Sequence, residues 1–221
     1  MKKSLRIALF VFFSILLAGG TVIAGKIGEI KDKVFTDNDH GISFNVPEGY
    51  SVKMASKSTN PVRLTLMDKN PVYSRDFMGG NEDYAQIPTF TLIVDTCSST
   101  VDEFIENLLD NKSKSKQKKF FLKHMKIIAK HHEILRSGNI TIQDSKVTLL
   151  EARQPYELQI SNRGTDRANA INGNLSGWMF FTVRDGKIYV MHLISEYLSS
   201  ANYAPIWDAI IGSVKFAETK E

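Results

Sequence analysis

His132-Glu133 opens the first half of a zinc-hydrolase pattern, in which two histidines four residues apart hold the metal and the glutamate takes a proton from water. Position 136 is arginine, so the second ligand is missing. Ser176 stands in GNLSG, which lacks the spacing that exposes a nucleophilic serine on a sharp strand-to-helix turn. Gly186-Lys187 has neither the upstream glycine nor the following Ser or Thr of a phosphate loop. His124, His131 and His132 stand close together, but they are set among lysines whose charge opposes a cation. No catalytic or metal site is expected, and no cofactor. His192, on an apolar segment, reads as a core histidine, and the single cysteine, Cys97, as an inert thiol at the end of an apolar run.

What the chain does concentrate is positive charge. NKSKSKQKKFFLKHMKIIAKHH, Asn111 to His132, holds Lys112, Lys114, Lys116, Lys118, Lys119, Lys123, Lys126 and Lys130. Read as a helix, Lys119, Lys123, Lys126 and Lys130 fall on one line, and Phe121, Met125, Ile128, His132 and Leu135 form the opposite stripe. Two readings are open. The lysines are the solvated back of a helix packed on a sheet, or they form a basic surface for an anionic partner such as lipid headgroups or an acidic polymer. The first is the ordinary reading of a surface helix; what it leaves unexplained is the run KSKSKQKK, which adds charge where packing requires none. Nucleic acid is not expected, because exposed aromatic residues do not interleave the lysines.

MKKSLR followed by Ile7–Ala24, an uncharged run of 18 residues, has the parts of a secretory signal. Val22 and Ala24 supply the small residues of a cleavage site, so residues 1–24 read as a signal peptide, with a retained membrane anchor as the alternative. The protein is therefore expected to be exported, periplasmic or secreted. Without Lys2, Lys3 and Arg6, 25 basic residues face 24 acidic ones, and Asn111–Ser137 holds nine of those 25 against Glu133 alone. The remaining surface is acidic, so charge is polarised along the chain. One cysteine excludes an internal disulfide, and stability must come from an apolar core.

The elements that position these residues follow from periodicity. Residues 25–33 read as a linker and residues 34–221 as one domain. Alternation in ISFNV, VRLTLMD and the doubly apolar IPTFTLIVD marks strands, and Pro47-Glu48-Gly49 marks a turn. Ser99 or Thr100 caps a helix carrying Val101, Phe104, Ile105, Leu108 and Leu109 on one stripe, with Asp102 or Glu103 completing the cap. Gly138 reads as the end of the basic region, followed by two strands about Gln143-Asp144-Ser145; Pro155 belongs at an edge or bulge. WMFFTVRDGKIYVMHLIS is a hairpin about Asp185-Gly186, with Phe181 opposite Val190 and Phe180 opposite Met191, apolar on both faces. A last helix, Ala204–Gly212, buries Trp207, Ile210 and Ile211. Two long polar stretches, Asn70–Gln86 and Ser161–Gly177, read as loops, and Tyr73, Arg75, Phe77 and Tyr84 make the first a recognition candidate. The class is α+β, with a central antiparallel sheet between helices.

GISFNVPEGY, STVDEFIENLL, ITIQDSKV, the Asp185-Gly186 hairpin and IWDAIIGSVKF, in that order, resemble the PsbP-like domains, a family named for an extrinsic photosystem subunit and common among exported bacterial proteins. Tyr50 stands where that family often has tryptophan, and Asp144 where it usually has glycine. The resemblance spans Val34 to Phe216 and implies an αβα sandwich used for binding or assembly. The expectation is an exported, non-catalytic domain contacting a protein or an anionic envelope component, its oligomeric state open. The alternative is a small periplasmic hydrolase or metal-dependent enzyme, signalled by a cleft gathering Glu151, Arg153 and His192.

Overall fold

The computed structural model describes residues 23–24, 28–72, 87–110, 112–125, 132–161 and 168–218. The strands are β1 (Ile23–Ala24), β2 (Glu29–Lys31), β3 (Val34–Asp37), β4 (Ile42–Asn45), β5 (Tyr50–Met54), β6 (Val62–Asp68), β7 (Thr89–Thr96), β8 (Glu133–Ile142), β9 (Ser145–Ser161), β10 (Ala168–Arg184), β11 (Lys187–Glu196) and β12 (Lys215–Phe216). The helices are α1 (Val101–Leu109), α2 (Lys116–Met125) and α3 (Ala204–Gly212). All strand pairing is antiparallel: a seven-stranded sheet in the order β5-β6-β7-β11-β10-β9-β8 and a smaller sheet in the order β1-β2-β3-β4-β12. The class is α+β, as the sequence requires.

β10 and β11 lie inside the large sheet and carry apolar residues on both faces, in the expected register of Phe181 opposite Val190 and Phe180 opposite Met191. Two cores result. On one face Trp178, Phe180, Met191 and Leu193 join Phe35, Ile42 and Phe44 of the small sheet and Trp207, Ile210 and Ile211 of α3. On the other, Met179, Phe181, Val190 and Ile194 join Val101, Phe104, Ile105 and Leu108 of α1 and Phe121 and Met125 of α2. Thr100 caps α1 through a reciprocal box with Glu103, which satisfies two amides that the helix itself cannot. The turn of the central hairpin places Asp185 and Gly186 at φ 50° and 68°. Gln143 and Asp144 repeat that geometry at 45° and 63° without a glycine. Aspartate tolerates the left-handed region better than most residues, so the departure from the family's glycine leaves the β8–β9 turn intact.

Four expectations are corrected. Glu29–Lys31, placed in a linker, is β2, and Ile30 enters the core. The basic helix is described as far as Met125, residues 126–131 lie outside the described residues, and Ile134 and Leu135, read as its continuation, belong to β8, because pairing with β9 outweighs helical spacing there. Gly138 ends nothing and sits mid-strand in β8. Most of the stretch read as a loop from Ser161 to Gly177 is strand: Pro155–Ser161 and Ala168–Asn174 pair only with each other, as a ribbon beyond the last rungs to β8 and β11. Pro155 thus stands where β9 has lost its second neighbour, and no ladder hydrogen bond is forfeited on that side. Residues 1–22 and 162–167 lie outside the described residues.

A buried ion pair joins the two sheets. Arg63 on β6 is 1% exposed and holds Asp37 at the end of β3, 0% exposed, with Nε donating to Oδ2 at 2.6 Å and Nη2 to Oδ1 at 3.1 Å. Its Nη1 donates to the carbonyls of Ser58 and Asn60, and His40 Nδ1 lies 3.2 Å from Asp37 Oδ2. Burial alone would raise the Asp37 carboxyl; the hydrogen bonds with His40 and Arg63 outweigh it and hold the group below the ordinary carboxylate range. Arg63→Met is expected to destabilise by about 3–5 kcal/mol, since it leaves a buried charge without its partner. Because the folded value is depressed, the pair's contribution is complete above the unfolded carboxylate pKa of about 3.9 and is lost as pH falls through the lower folded value. Urea titrations at pH 7 and through the acid range should show that loss in the wild type, and a shallower one in Asp37→Asn.

Candidate functional site

α2 is held to the sheet by its apolar side. Phe121 and Met125 are fully buried, and the Phe121 ring meets Phe104 edge-on at 5.1 Å, which in turn lies 6.2 Å from Phe181. This chain of rings ties α2 to α1 and both to β10. Gln117 Nε2 donates to the Thr96 carbonyl at 2.8 Å and reaches Asp95 at 3.3 Å, fixing the start of the helix against the end of β7.

The lysines divide. Lys112, Lys114, Lys116, Lys119 and Lys123 are exposed, and among the described residues none of the five forms an ion pair. Lys116, Lys119 and Lys123 share one side of α2 at helical spacing, and Lys112 and Lys114 continue the charge into the approach to the helix. Lys118 is a correction to the basic surface: it is buried, and its ammonium donates to the Asp110 carbonyl just past the end of α1. There it joins the Ser113 amide, which donates to the same carbonyl at 3.0 Å, and faces the negative end of the helix dipole. Lys126 and Lys130 lie outside the described residues, as do Tyr73, Arg75, Phe77 and Tyr84. Val72 precedes those aromatic residues, and its amide donates to the Tyr203 hydroxyl at 2.8 Å, which itself donates to Asp68 at 3.2 Å.

Among the described residues the histidines do not converge, and His131 lies outside them. His124 packs on Phe120 with ring centroids 4.5 Å apart, and burial first, then the charge of Lys123, lowers its pKa. His192 is 1% exposed, a core residue as expected. Among the described residues no three His, Cys, Asp or Glu side chains gather as metal ligands. Strand parity also separates the trio that would have signalled an enzyme. Glu151 pairs with Trp178 and Arg153 with Ser176, which share the face of Leu193 and Ser195; His192 pairs with Met179 and points to the opposite face. Glu151 and Arg153 are engaged instead with β8, by Arg136 Nε at 2.6 Å from Glu151 and by Glu133 against Arg153. Cys97 is buried, its sulfur 3.3 Å from the Ser99 hydroxyl.

Sequence reasoning missed a cleft of about 310 Å³ where α3 overhangs the β8 side of the large sheet. Trp178 and Leu149 floor it, Ala204, Trp207 and Asp208 of α3 form one wall, and Arg136 and Gly138 of β8 form the rim. Its signal was present only as separate pieces, because β8 was read partly as helix.

No family model matches the sequence, and no curated protein matches it. Among solved structures the chain is similar to cyanobacterial PsbP (CyanoP) from Synechocystis sp. PCC 6803, with 11% identity and a TM-score of 0.48 over 83% of this chain and 91% of that one. It is also similar to LpqN of Mycobacterium tuberculosis, described as involved in cell envelope biogenesis, with 11% identity and a TM-score of 0.44 over 80% of this chain and 83% of that one. A Pseudomonas aeruginosa protein of unknown function follows, with 11% identity and a TM-score of 0.43 over 84% of this chain and 97% of that one. Among the described residues no helix is long and apolar enough to cross a membrane.

The division of the lysines has a direct consequence. Lys118→Ala should lower stability in thermal or denaturant unfolding by about 1–2 kcal/mol, through the lost charge-assisted hydrogen bond and the lost stem packing, whereas Lys119→Ala should leave it unchanged.

Proposed function

We propose that this protein is an exported, non-catalytic binding or assembly domain of the cell envelope, built as a PsbP-like αβα sandwich in which the small sheet fills out one helical layer. Its basic segment contacts an anionic envelope component. The observation that carries this reading is the row Lys112, Lys114, Lys116, Lys119 and Lys123: exposed, without ion pairs among the described residues, the last three set on a helix whose other side is anchored by Phe121 and Met125 and the first two in the approach to it. A rigidly held row of like charges keeps its mutual repulsion unless an anionic surface neutralises it. The uncharged run Ile7–Ala24 after MKKSLR supports export.

Each lysine close to an anionic membrane contributes about 1 kcal/mol, so the five together contribute about 5 kcal/mol. That corresponds to binding between millimolar and micromolar, enough to orient the domain and speed its encounters but not to anchor it. Salt at physiological strength shortens the reach of these charges to about 8 Å and weakens the contact.

The domain is expected to co-sediment with phosphatidylglycerol-containing vesicles at low salt, less so at physiological salt, and not with phosphatidylcholine vesicles. A variant with the five lysines changed to glutamine should lose the binding while keeping its unfolding midpoint. Binding to polyglutamate but not to vesicles would identify an acidic polymer as the partner. Salt-independent binding, or none to either anion, would overturn the basic-surface reading.

A further inference from the structure

β8 ends the seven-stranded sheet, and among the described residues nothing pairs with its outer edge. The other edge strand, β5, is five residues long and carries Lys53 near its end, the kind of short, charged edge that resists added strands. β8 is ten residues long and charged only at Glu133 and Arg136. Ser137 to Thr141 is uncharged and exposed, and Ile140 is 39% exposed. A long edge without charge offers its free backbone donors and acceptors to another extended chain.

Parity gives that edge a specific feature. Arg136 pairs with Glu151 and Gly138 with Leu149, so Arg136 and Gly138 lie on the cleft's side of β8, and Ile140, opposite Val147, continues the row beyond the cleft. At Gly138 this row is interrupted. A Cβ built there would meet nothing within 4 Å, and the backbone has no positive φ that would call for glycine. The missing side chain opens the cleft toward the unpaired edge. Residues paired across strands project to the same face, so the residue of an added strand that stood opposite Gly138 would aim its side chain through this gap, over Leu149 and Trp178 and toward Trp207. A cleft of about 310 Å³ is at the small end of ligand-sized cavities and suits one large apolar side chain.

We propose that β8 is a strand-addition site for an extended, largely uncharged peptide segment of a protein partner, which pairs with Ser137–Ile142 and seats one apolar or aromatic side chain in the cleft through the gap at Gly138. This surface does not depend on the basic segment, since α2 packs on the opposite face of the sheet. Main-chain pairing supplies affinity for many sequences, and the cleft selects among them.

The test is selection of displayed random linear peptides on the full chain, followed by titration of the enriched peptides as synthetic probes. Enriched sequences should share an alternating pattern with one large apolar residue. Changing that residue to alanine should weaken binding about tenfold or more, the scale of a buried anchor. Gly138→Leu fills the gap in open space and should leave the unfolding midpoint unchanged while causing the same loss. Thr141→Leu, on the opposite face of the same strand, should bind as the wild type does. Amide exchange of Ser137–Ile142 should slow in the complex with the wild type alone. Failure to enrich any peptide overturns the proposal, as does equal binding by Gly138→Leu. A concentration-dependent dimer abolished by Gly138→Leu would assign the edge to a second copy of the chain instead, and so overturn it too.

Discussion

The β10–β11 pair is apolar on both faces, and the rest of the architecture answers to that one constraint. A strand with Trp178 and Phe180 on one side and Met179 and Phe181 on the other cannot face water on either. Neighbouring strands satisfy its edges, but only other layers can cover its faces. α1 and α2 supply one cover, with Phe121 edge-on to Phe104 and Phe104 against Phe181. The small sheet and α3 supply the other, with Phe44 against Phe90 and Phe216 against Tyr189. Covering is complete over the middle of the sheet and thins toward β8, which is why the cleft lies there.

Buried polar groups mark the seams between these layers. Arg63 and Asp37 join the sheets through two hydrogen bonds, and the rest of the guanidinium is occupied by loop carbonyls and Asp39. Lys118 does the corresponding work between α1 and α2, spending its charge on the Asp110 carbonyl. Each such charge is tolerable inside only because its partners are already in place. Their contribution is mainly to registry: a slipped small sheet or a rotated α2 would leave a charge without a partner, which apolar contacts alone would not forbid.

The two surfaces proposed for recognition differ in physical kind. The lysine row acts at a distance, is indifferent to detail and weakens with salt. The β8 edge acts by hydrogen-bond geometry and by the shape of a gap one side chain wide. They lie on opposite faces of the large sheet, so a domain oriented by the first would still have the second free to pair.

Much of the fold was legible in the amino-acid sequence. The capped helix at Thr100, the hairpin about Asp185-Gly186 with its register, and the last helix around Trp207 were readable because caps, turn residues and local periodicity are short-range properties of the chain. Charge polarisation was readable for the same reason. Tertiary structure alone decided four matters, each resting on residues brought together by packing. Helical spacing in the basic segment ran on past Met125 until pairing with β9 claimed Glu133–Ile142 as strand. Lys118 looked like its neighbours until the end of α1 arrived beside it, and Arg63 looked like a surface residue of an alternating strand until Asp37 met it from another sheet. The gap at Gly138 has meaning only because α3, more than sixty residues later, overhangs that part of the sheet. Local sequence determines which elements form; which of their side chains are covered depends on packing partners that no local window contains.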